Sequence, residues 1–258
     1  MTANAGAIEE WVPACAGTYV EASSVTRLML NERTMAGTTQ IKGYPVSIPR
    51  RRIIAASIAG ATVLGMPAIL RAALMATPAQ TEGPFYPLNY PADSDNDLVH
   101  VAGHGEAAKG TPTRVAGRIL DAAGRPVTGA RVEIWQCDAN GRYHNVRDGD
   151  AGRPRDDNFQ GFGQTTSDSE GGYQFLTIRP IAYTGRTPHI HFVVAAPGQR
   201  RFVTQMYVAG EPQNERDPVL RDVRDPAARA RLIVPLQPMT EIGPGALAAN
   251  FDIVLGNS

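Results

Sequence analysis

Two histidines separated by a single residue, His189 and His191, are the side chains of this sequence best suited to chemistry. The run around them, Arg186-Thr-Pro-His-Ile-His-Phe192, favours a β-strand because apolar residues alternate with the histidines. Successive side chains of a strand point to opposite faces, so both imidazoles should project from one face and the apolar residues from the other. Two imidazoles on one face can bind one metal ion, but the pair alone fits two incidental surface or core histidines equally well.

The remaining histidines and the cysteines offer weaker metal sites. His104-Gly-Glu106 could supply part of a site with two histidines and one carboxylate, but its glycine-rich surroundings favour a solvated loop. No clear carboxylate accompanies the strand pair, which argues against a zinc or Fe(II) site built on it. The two cysteines, Cys15 and Cys137, form no CxxC motif and exclude a disulfide-dense scaffold.

Short strands between turns must position these side chains. Hydrophobic residues make up 43% of the chain and charged residues 19%, and 26 glycines and 20 prolines favour a turn-rich β protein over a helical bundle. The predicted strands are Arg114–Leu120, Ala130–Gln136, Tyr173–Ile178, His189–Ala195, Phe202–Val208, Leu232–Leu236 and Phe251–Leu255. Their spacing fits a β-sandwich, with a short helix within Asp217–Arg231 and a long loop over His144–Gly161.

Several strings in the second half of the chain resemble the intradiol ring-cleavage dioxygenases. They are Trp135-Gln-Cys-Asp-Ala-Asn-Gly-Arg-Tyr143, Asn158-Phe-Gln-Gly-Phe-Gly163, Thr166-Ser-Asp-Ser-Glu-Gly-Gly-Tyr-Gln-Phe175, Ile178-Arg-Pro-Ile-Ala-Tyr183 and Arg186-Thr-Pro-His-Ile-His191. Thr81-Glu-Gly-Pro-Phe-Tyr86 and Phe251-Asp-Ile-Val-Leu255 extend the match over residues 80–258. Two tyrosines and two histidines in this order and spacing are specific, and the chain is most similar to the branch with the iron-binding chain of protocatechuate 3,4-dioxygenase and exported single-chain relatives.

The resemblance implies an all-β protein with a prealbumin-like β-sandwich core and long active-site loops. It also implies one Fe(III) per chain, held by Tyr143, Tyr183, His189 and His191. Two phenolates and a hydroxide would neutralise this hard cation, and two neutral imidazoles would complete its ligands. The same resemblance gives catalytic roles to three residues. They are Tyr183 as the ligand that the substrate displaces, Arg186 as a cation that stabilises a carbanion on the ring, and Gln205 near substrate and iron.

The reaction that the resemblance implies is ring cleavage of a catechol-type substrate, such as protocatechuate, between its two hydroxyl-bearing carbons. O2 is the co-substrate and a cis,cis-muconate is the product. The substrate supplies every electron, so no nicotinamide or flavin is needed, and no glycine-rich dinucleotide motif follows a strand. The 25 basic residues balance the 25 acidic ones, which disfavours a nucleic-acid partner. The sequence leaves open which catechol is used, and whether a homo-oligomer or a second, non-metal chain forms.

A function of another class competes with this interpretation. Gly117–Ala130 and Ser167–Phe175 also resemble prealbumin-like β-sandwich modules, which bind partners or serve as structural domains without a metal. A shared fold cannot separate the two hypotheses. The four proposed metal ligands discriminate between them, because a non-catalytic module has no reason to keep them together.

Residues 1–79 have the layout of an export leader. Arg50-Arg-Arg52 precedes the apolar run Ile53–Leu70 and a small-residue exit that ends at Thr77-Pro-Ala79. The pattern resembles a twin-arginine signal, so we expect export to the periplasm and a dioxygenase domain over residues 80–258. A membrane anchor or a packed helix of a cytoplasmic protein are the alternatives.

Overall fold

The computed structural model describes residues 74–149 and 152–256. The predicted leader motif, Arg50–Arg52 followed by Ile53–Leu70, lies outside the described residues. Within them, strands far outnumber helical turns, which confirms the prediction of an all-β protein. No helix in this part of the chain is both long and apolar enough to span a membrane.

The described strands form two sheets. They are β1 (Pro112–Leu120), β2 (Arg131–Trp135), β3 (Phe162–Thr166), β4 (Gly172–Ile178), β5 (His189–Ala195), β6 (Phe202–Val208), β7 (Ile233–Val234), β8 (Gln237–Pro238), β9 (Leu247–Asn250) and β10 (Ile253–Val254). In the first sheet β1 pairs with β4, β9 and β10, and β8 pairs with β9. The second sheet has the order β3-β2-β5-β6-β7. The helices are α1 (Pro218–Arg221) and α2 (Pro226–Ala230), and 3₁₀ turns cover Pro212–Glu215 and Thr240–Ile242.

The predicted strands are present, and the longer ones keep close to their predicted bounds. The two predicted near the carboxyl end, Leu232–Leu236 and Phe251–Leu255, shorten to two residues each, and β3, β8 and β9 were not predicted. Strand β3 could not be predicted from periodicity because its sequence, Phe-Gly-Gln-Thr-Thr, shows little alternation of apolar and polar residues. The predicted helix in Asp217–Arg231 is two helices, since Asp217-Pro and Asp225-Pro each start one with an Asp cap and a proline in the first turn.

One apolar core lies between the two sheets. Strands β1 and β4 contribute Val115, Ile119, Tyr173 and Phe175 from one side, and β2, β5 and β6 contribute Val132, Ile134, Ile190, Phe192, Val194 and Met206 from the other. Side chains at the alternate positions of β2, β5 and β6 therefore point to the outer face of the second sheet. That face is covered too, by a second buried cluster that comprises Trp135, Cys137, Tyr143, Phe162 and Val193.

The segment 94–98 covers the neighbouring edges of both sheets. The amide of Gln164 in β3 donates to the carbonyl of Ser94 at 2.9 Å, and the amide of Leu176 in β4 donates to the carbonyl of Asn96 at 2.8 Å. A side chain at Gly163 would lie 2.5 Å from the carbonyl oxygen of Asp95, so this close approach requires glycine. Covering the edges satisfies backbone groups that would otherwise be exposed.

Residues 74–81, here termed the N-terminal strap, join the two sheets on their other side. Thr77 exchanges two hydrogen bonds with Val254 of β10: its amide donates to the Val254 carbonyl and its Oγ1 accepts from the Val254 amide, both at 2.9 Å. Thr204 Oγ1 of β6 donates to the carbonyl of Pro78 at 2.8 Å. The folded β domain therefore includes residues before position 80.

Candidate metal centre

The two histidines lie on the outer face of the second sheet, in rows set by strand register. His191 of β5 is paired with Trp135 of β2 on one side and with Gln205 of β6 on the other. His189 is paired with Tyr207. Trp135 stacks on the His191 ring with centroids 4.7 Å apart and an interplanar angle of 12°. The alternation predicted for this strand is confirmed, because Ile190 and Phe192 lie in the core.

The imidazoles of His189 and His191 face each other through their Nε2 atoms, which are 3.1 Å apart. Burial lowers the pKa of His189 to about 4 and that of His191 well below its ordinary value, and the positive charge of Arg186 acts in the same direction. Both rings are therefore neutral near pH 7. Nδ1 of His189 donates to the carbonyl of Thr187 at 2.6 Å, which leaves the lone pair on Nε2 free for a metal ion.

Tyr143 and Tyr183 lie on the same face of the sheet, close to the two histidines. Tyr143 Oη lies 3.5 Å from Nε2 of His189, and the two phenol rings are 5.3 Å apart at 85°. The ring centroid of Tyr183 is 5.5 Å from that of His189. Burial raises the pKa of both phenols, while Arg186 partly offsets the rise at Tyr183. A phenolate at either position therefore needs a cation beside it.

Tyr143 lies at the end of a tight loop that follows β2. Asp138 Oδ1 accepts from the amides of Asn140 at 2.8 Å and Arg142 at 2.9 Å, and Gly141 adopts a φ of 78°. Asp138 Oδ2 accepts from the amide of Asp156 at 2.8 Å, which ties this loop to the next one. The buried Asp138 carboxylate thus fixes the backbone one residue before Tyr143.

Tyr183 and Arg186 are brought together by a β-turn. The amide of Arg186 donates to the carbonyl of Tyr183 at 2.8 Å, and Gly185, the third residue of the turn, has a φ of 76°. Type II turns require a positive φ at this position, so Tyr-Thr-Gly-Arg is suited to the geometry. The turn keeps a permanent positive charge beside the Tyr183 phenol.

Gln205, which the resemblance puts near substrate and iron, lies beside Arg186. Its Oε1 accepts from Nη2 of Arg186 at 2.7 Å, and its Nε2 donates to the carbonyl of Thr81 in the strap at 2.9 Å. The side chain is completely buried. All the predicted site residues therefore meet on one face of the second sheet, whereas His104 is exposed and lies 3.0 Å from Asn158 in a loop.

Sequence reasoning missed the contacts that three residues make with this centre. Trp135 is buried, and its ring stacks on that of His191. Phe85 stacks on Tyr143 at 4.5 Å and meets Tyr183 edge-on at 6.2 Å. Asp217 pairs with Arg186 at 2.7 Å, and the only local signal for Asp217 was its place before Pro218. Long-range contacts of this kind leave no periodic trace in the sequence.

A cavity of about 290 Å³ adjoins Tyr143. Its apolar walls include Phe85, Leu88, Trp135 and Phe162, and its polar groups come from Asn89, His144, Asn145 and Gln160. A second cavity shares His144 and Gln160 with it and extends to Arg155, which pairs with Asp157 at 2.6 Å. The cavity beside Tyr143 is close to the size range of small-molecule sites.

The donor set fits a hard, highly charged cation. Two neutral imidazoles and two phenols converge, and two phenolates would balance most of the charge of a trivalent ion. Nδ1 of His191 has no hydrogen-bond partner among the described residues, so the contact made at Nε2 decides its tautomer. Within the same residues there is no group of three or more His, Cys, Asp or Glu side chains that could hold a metal.

Comparison with known proteins agrees with this geometry. The family model described as Dioxygenase matches residues 81–257. The beta chain of protocatechuate 3,4-dioxygenase from Burkholderia cepacia is 42% identical over 170 residues, which cover 62% of this chain and 71% of the relative. Hydroxyquinol 1,2-dioxygenase from Nocardioides simplex is 35% identical over 163 residues, which cover 56% of this chain and 51% of that enzyme.

Solved structures give the same picture. The dioxygenase domain of a dioxygenase and carbohydrate-binding protein fusion from Streptomyces sp. SirexAA-E superposes with a TM-score of 0.55 at 29% identity, over 71% of this chain and 100% of that domain. Hydroxyquinol 1,2-dioxygenase from Pseudomonas putida DLL-E4 gives 0.54 at 25% identity, over 71% of this chain and 67% of that enzyme. From sequence, fold and family match together, the chain belongs to the intradiol ring-cleavage dioxygenases.

Proposed function

We propose that this chain is a non-haem Fe(III) dioxygenase that cleaves a catechol ring between its two hydroxyl-bearing carbons, with O2, to a cis,cis-muconate. One observation carries the proposal: Nε2 of His191 lies 3.1 Å and Oη of Tyr143 lies 3.5 Å from Nε2 of His189. With Tyr183 beside them, these residues would hold one Fe(III) per chain. When bound, ferric iron would draw electron density from the catecholate and so make its ring reactive towards O2.

The protein residues around this centre have distinct tasks. The Thr187 carbonyl orients the His189 ring, and the Trp135 ring packs against His191 and excludes water from that side. Arg186 places a permanent positive charge where negative charge develops on the substrate ring. The phenolate Oη of Tyr183, which is half-buried whereas Tyr143 is buried, is placed to accept a proton from an incoming catechol.

We base a substrate preference on the cavity beside Tyr143, which is lined by one of the four proposed ligands, Tyr143, and not by Tyr183, Arg186 or the two histidine ligands. Among its lining residues there is no Arg or Lys to pair with a ring carboxylate, whereas its amides and apolar walls suit hydroxyl and hydrocarbon groups. The similarity to a protocatechuate dioxygenase beta chain favours protocatechuate instead. We expect catechol and hydroxyquinol to be turned over with a higher kcat/KM than protocatechuate by the isolated chain.

The metal is tested on purified protein from iron-replete medium. We expect about one iron per chain and a red-brown colour, because phenolate-to-Fe(III) charge transfer absorbs visible light. Colourless protein with stoichiometric zinc would contradict the proposal.

The reaction is tested with the same protein and a panel of catechol, hydroxyquinol and protocatechuate. Oxygen uptake equal to substrate consumed, with a muconate as product, is the expected result. Iron-loaded protein that binds catechols without consuming O2 would favour the alternative, a non-catalytic prealbumin-like binding module. Turnover of protocatechuate above the neutral catechols would contradict the substrate preference alone.

A further inference from the structure

The guanidinium of Arg186 is held by side chains from two other elements. Its Nε donates to Oδ2 of Asp217 at 2.7 Å, and its Nη2 donates to Oε1 of Gln205 at 2.7 Å. Only 13% of the Arg186 side chain is exposed. A long side chain with many rotamers keeps one orientation only where such contacts fix it, so the position of this charge depends on its partners.

Asp217 does more than pair with Arg186. Its fully buried carboxylate accepts from the amide of Thr187 at 3.0 Å and from the amide of Leu220 at 2.9 Å. One carboxylate therefore joins the Tyr183–Arg186 turn, Thr187 two residues before β5 and the first turn of α1. The carbonyl of the same Thr187 accepts the Nδ1 proton of His189, so the contact extends to the metal centre.

Helix capping alone does not account for this arrangement. Asp225 caps α2 in the same Asp-Pro context, and its Oδ1 accepts from the amide of Ala227 at 3.0 Å. Asp225 is exposed. At Asp217 the corresponding oxygen, Oδ1, caps α1, whereas the second oxygen, Oδ2, receives both Arg186 and Thr187. A cap requires one acceptor, so Oδ2 is available for a separate task.

We propose that Asp217 is a positioning residue for ring cleavage, which holds the Arg186 guanidinium in the orientation that catalysis requires. This inference rests on the proposed function, in which the charge of Arg186 stabilises the reacting ring. Without Oδ2, Arg186 keeps its contacts at Nη2 with Gln205 and with the Tyr207 hydroxyl but loses the contact at Nε, so its charge is no longer held from both sides. The iron-binding side chains themselves are not contacted by Asp217.

The test compares Asp217→Asn with Asp225→Asn in the iron-loaded full chain. Asparagine keeps the shape and the capping oxygen but cannot accept at Oδ2 from both Arg186 and Thr187. We expect kcat for Asp217→Asn to fall about 10²-fold, the usual effect of losing one preorganised donor, with the anaerobic Kd for catechol within about threefold of the parent. The resting visible spectrum should not change, and Asp225→Asn should match the parent in all three measurements. A parental kcat for Asp217→Asn would overturn the proposal.

A double-mutant cycle with Arg186→Lys separates positioning from general damage. If Asp217 acts through Arg186, Asp217→Asn should lower kcat little further in the Arg186→Lys background. Multiplicative losses in the double variant would show that the two residues act independently and would overturn the proposal. Should Asp217→Asn fold poorly, Asp217→Ser retains a capping oxygen and enters the same cycle.

A second readout does not depend on turnover. In metal-free protein, phenylglyoxal modification of Arg186, followed by peptide mass mapping, should be faster in Asp217→Asn than in the parent and in Asp225→Asn. Equal rates in all three proteins would overturn the positioning role. If modification is faster in Asp217→Asn but the parent turns over no catechol, Asp217 still holds Arg186 in place and only the proposed function is rejected.

Discussion

At the scale of single residues, the two tyrosines occupy different environments. Tyr143 is buried between Phe85 and the histidines, and only 3% of it is exposed. Tyr183 is half-buried beside Arg186, whose charge partly offsets the effect of burial on its pKa. This difference supports a permanent ligand role for Tyr143 and an exchangeable one for Tyr183.

Tyr183→Phe should keep substantial iron but bind substrate slowly. Tyr143, His189 and His191 would still hold the metal, while the phenolate base is lost, and general-base catalysis is worth about 10²-fold or more. Stopped-flow mixing of anaerobic protein with catechol should show loss of one phenolate band in the parent and no such loss in the variant. Parental binding kinetics in Tyr183→Phe would show that Tyr183 is neither a displaced ligand nor a base.

Tyr143→Phe is the matched comparison for that experiment. In the proposed centre this change would remove a phenolate that stays on the metal throughout, so both the resting spectrum and the spectrum of the catechol complex should change. A Tyr143→Phe protein whose catechol complex has the parental spectrum would contradict the permanent role of Tyr143.

At the scale of elements, one type of Asp-containing turn occurs three times among the described residues. Asp121, Asp138 and Asp168 each accept from the amides two and four residues later, and each is followed at the third position by a glycine with φ between 73° and 78°. Such a turn with a left-handed glycine joins strands or hairpins. Only the Asp138 copy is buried and leads directly into a proposed ligand, Tyr143.

Asp138→Ala should destabilise the fold and weaken iron binding, whereas Asp168→Ala should affect stability alone. Asp138 accepts from three backbone amides, so its loss should cost about 3 kcal/mol, against about 1 kcal/mol at exposed Asp168. Chemical denaturation of metal-free protein and iron titration measure the two effects. Equal iron affinity in the two variants would contradict a role for the Asp138 loop in placing Tyr143.

The Asp138 contribution should also depend on pH. Burial opposes its ionisation, but the His144 imidazole 3.7 Å away and hydrogen bonds from the backbone amides hold its pKa below the ordinary value of 3.8. A carboxyl with a depressed folded-state pKa stabilises the fold above its unfolded pKa and loses this effect as the pH falls through the folded value. The stability difference between the parent and Asp138→Asn should therefore be largest near neutrality and shrink below about pH 4.

At the scale of the whole molecule, the N-terminal strap connects the two sheets and reaches the site. It contacts β10 through Thr77, β6 through Pro78, and Gln205 through the carbonyl of Thr81. Thr77→Val keeps the side-chain shape but leaves the buried Val254 amide without its acceptor, which should cost about 2 kcal/mol. Thr128→Val, at an exposed threonine, is the control. Equal denaturation midpoints for the two variants would contradict a structural role for the strap.

We propose that the segment containing Arg50-Arg-Arg52 directs export of the folded domain, as its resemblance to a twin-arginine signal implies. Replacing the three arginines by lysine should leave a full-length precursor in the cytoplasm. Thr77 is hydrogen-bonded to β10, so we expect the exported, processed protein still to contain Thr77. N-terminal sequencing of the exported protein measures this. Unprocessed parent protein in the cytoplasm would contradict export, and cleavage after Ala79 would contradict the retained strap.

The sequence alone determined the features that depend on neighbouring residues. Alternation along β5 placed His189 and His191 on one face, and the sequence indicated a short helix within Asp217–Arg231. The spacing of two tyrosines and two histidines indicated the family. These signals are local because side-chain direction, turn geometry and helix caps follow from the conformations of adjacent residues.

Only the tertiary structure decided which distant residues meet. Trp135, His191 and Gln205 lie in one row because β2, β5 and β6 pair in a particular register, and Asp217 reaches Arg186 because α1 packs beside the start of β5. Strands β3 and β9 were not predicted from the sequence because they are defined by backbone pairing and not by apolar alternation. Periodicity reports which face of an element is apolar, whereas partner and register depend on how the faces pack together across the whole chain.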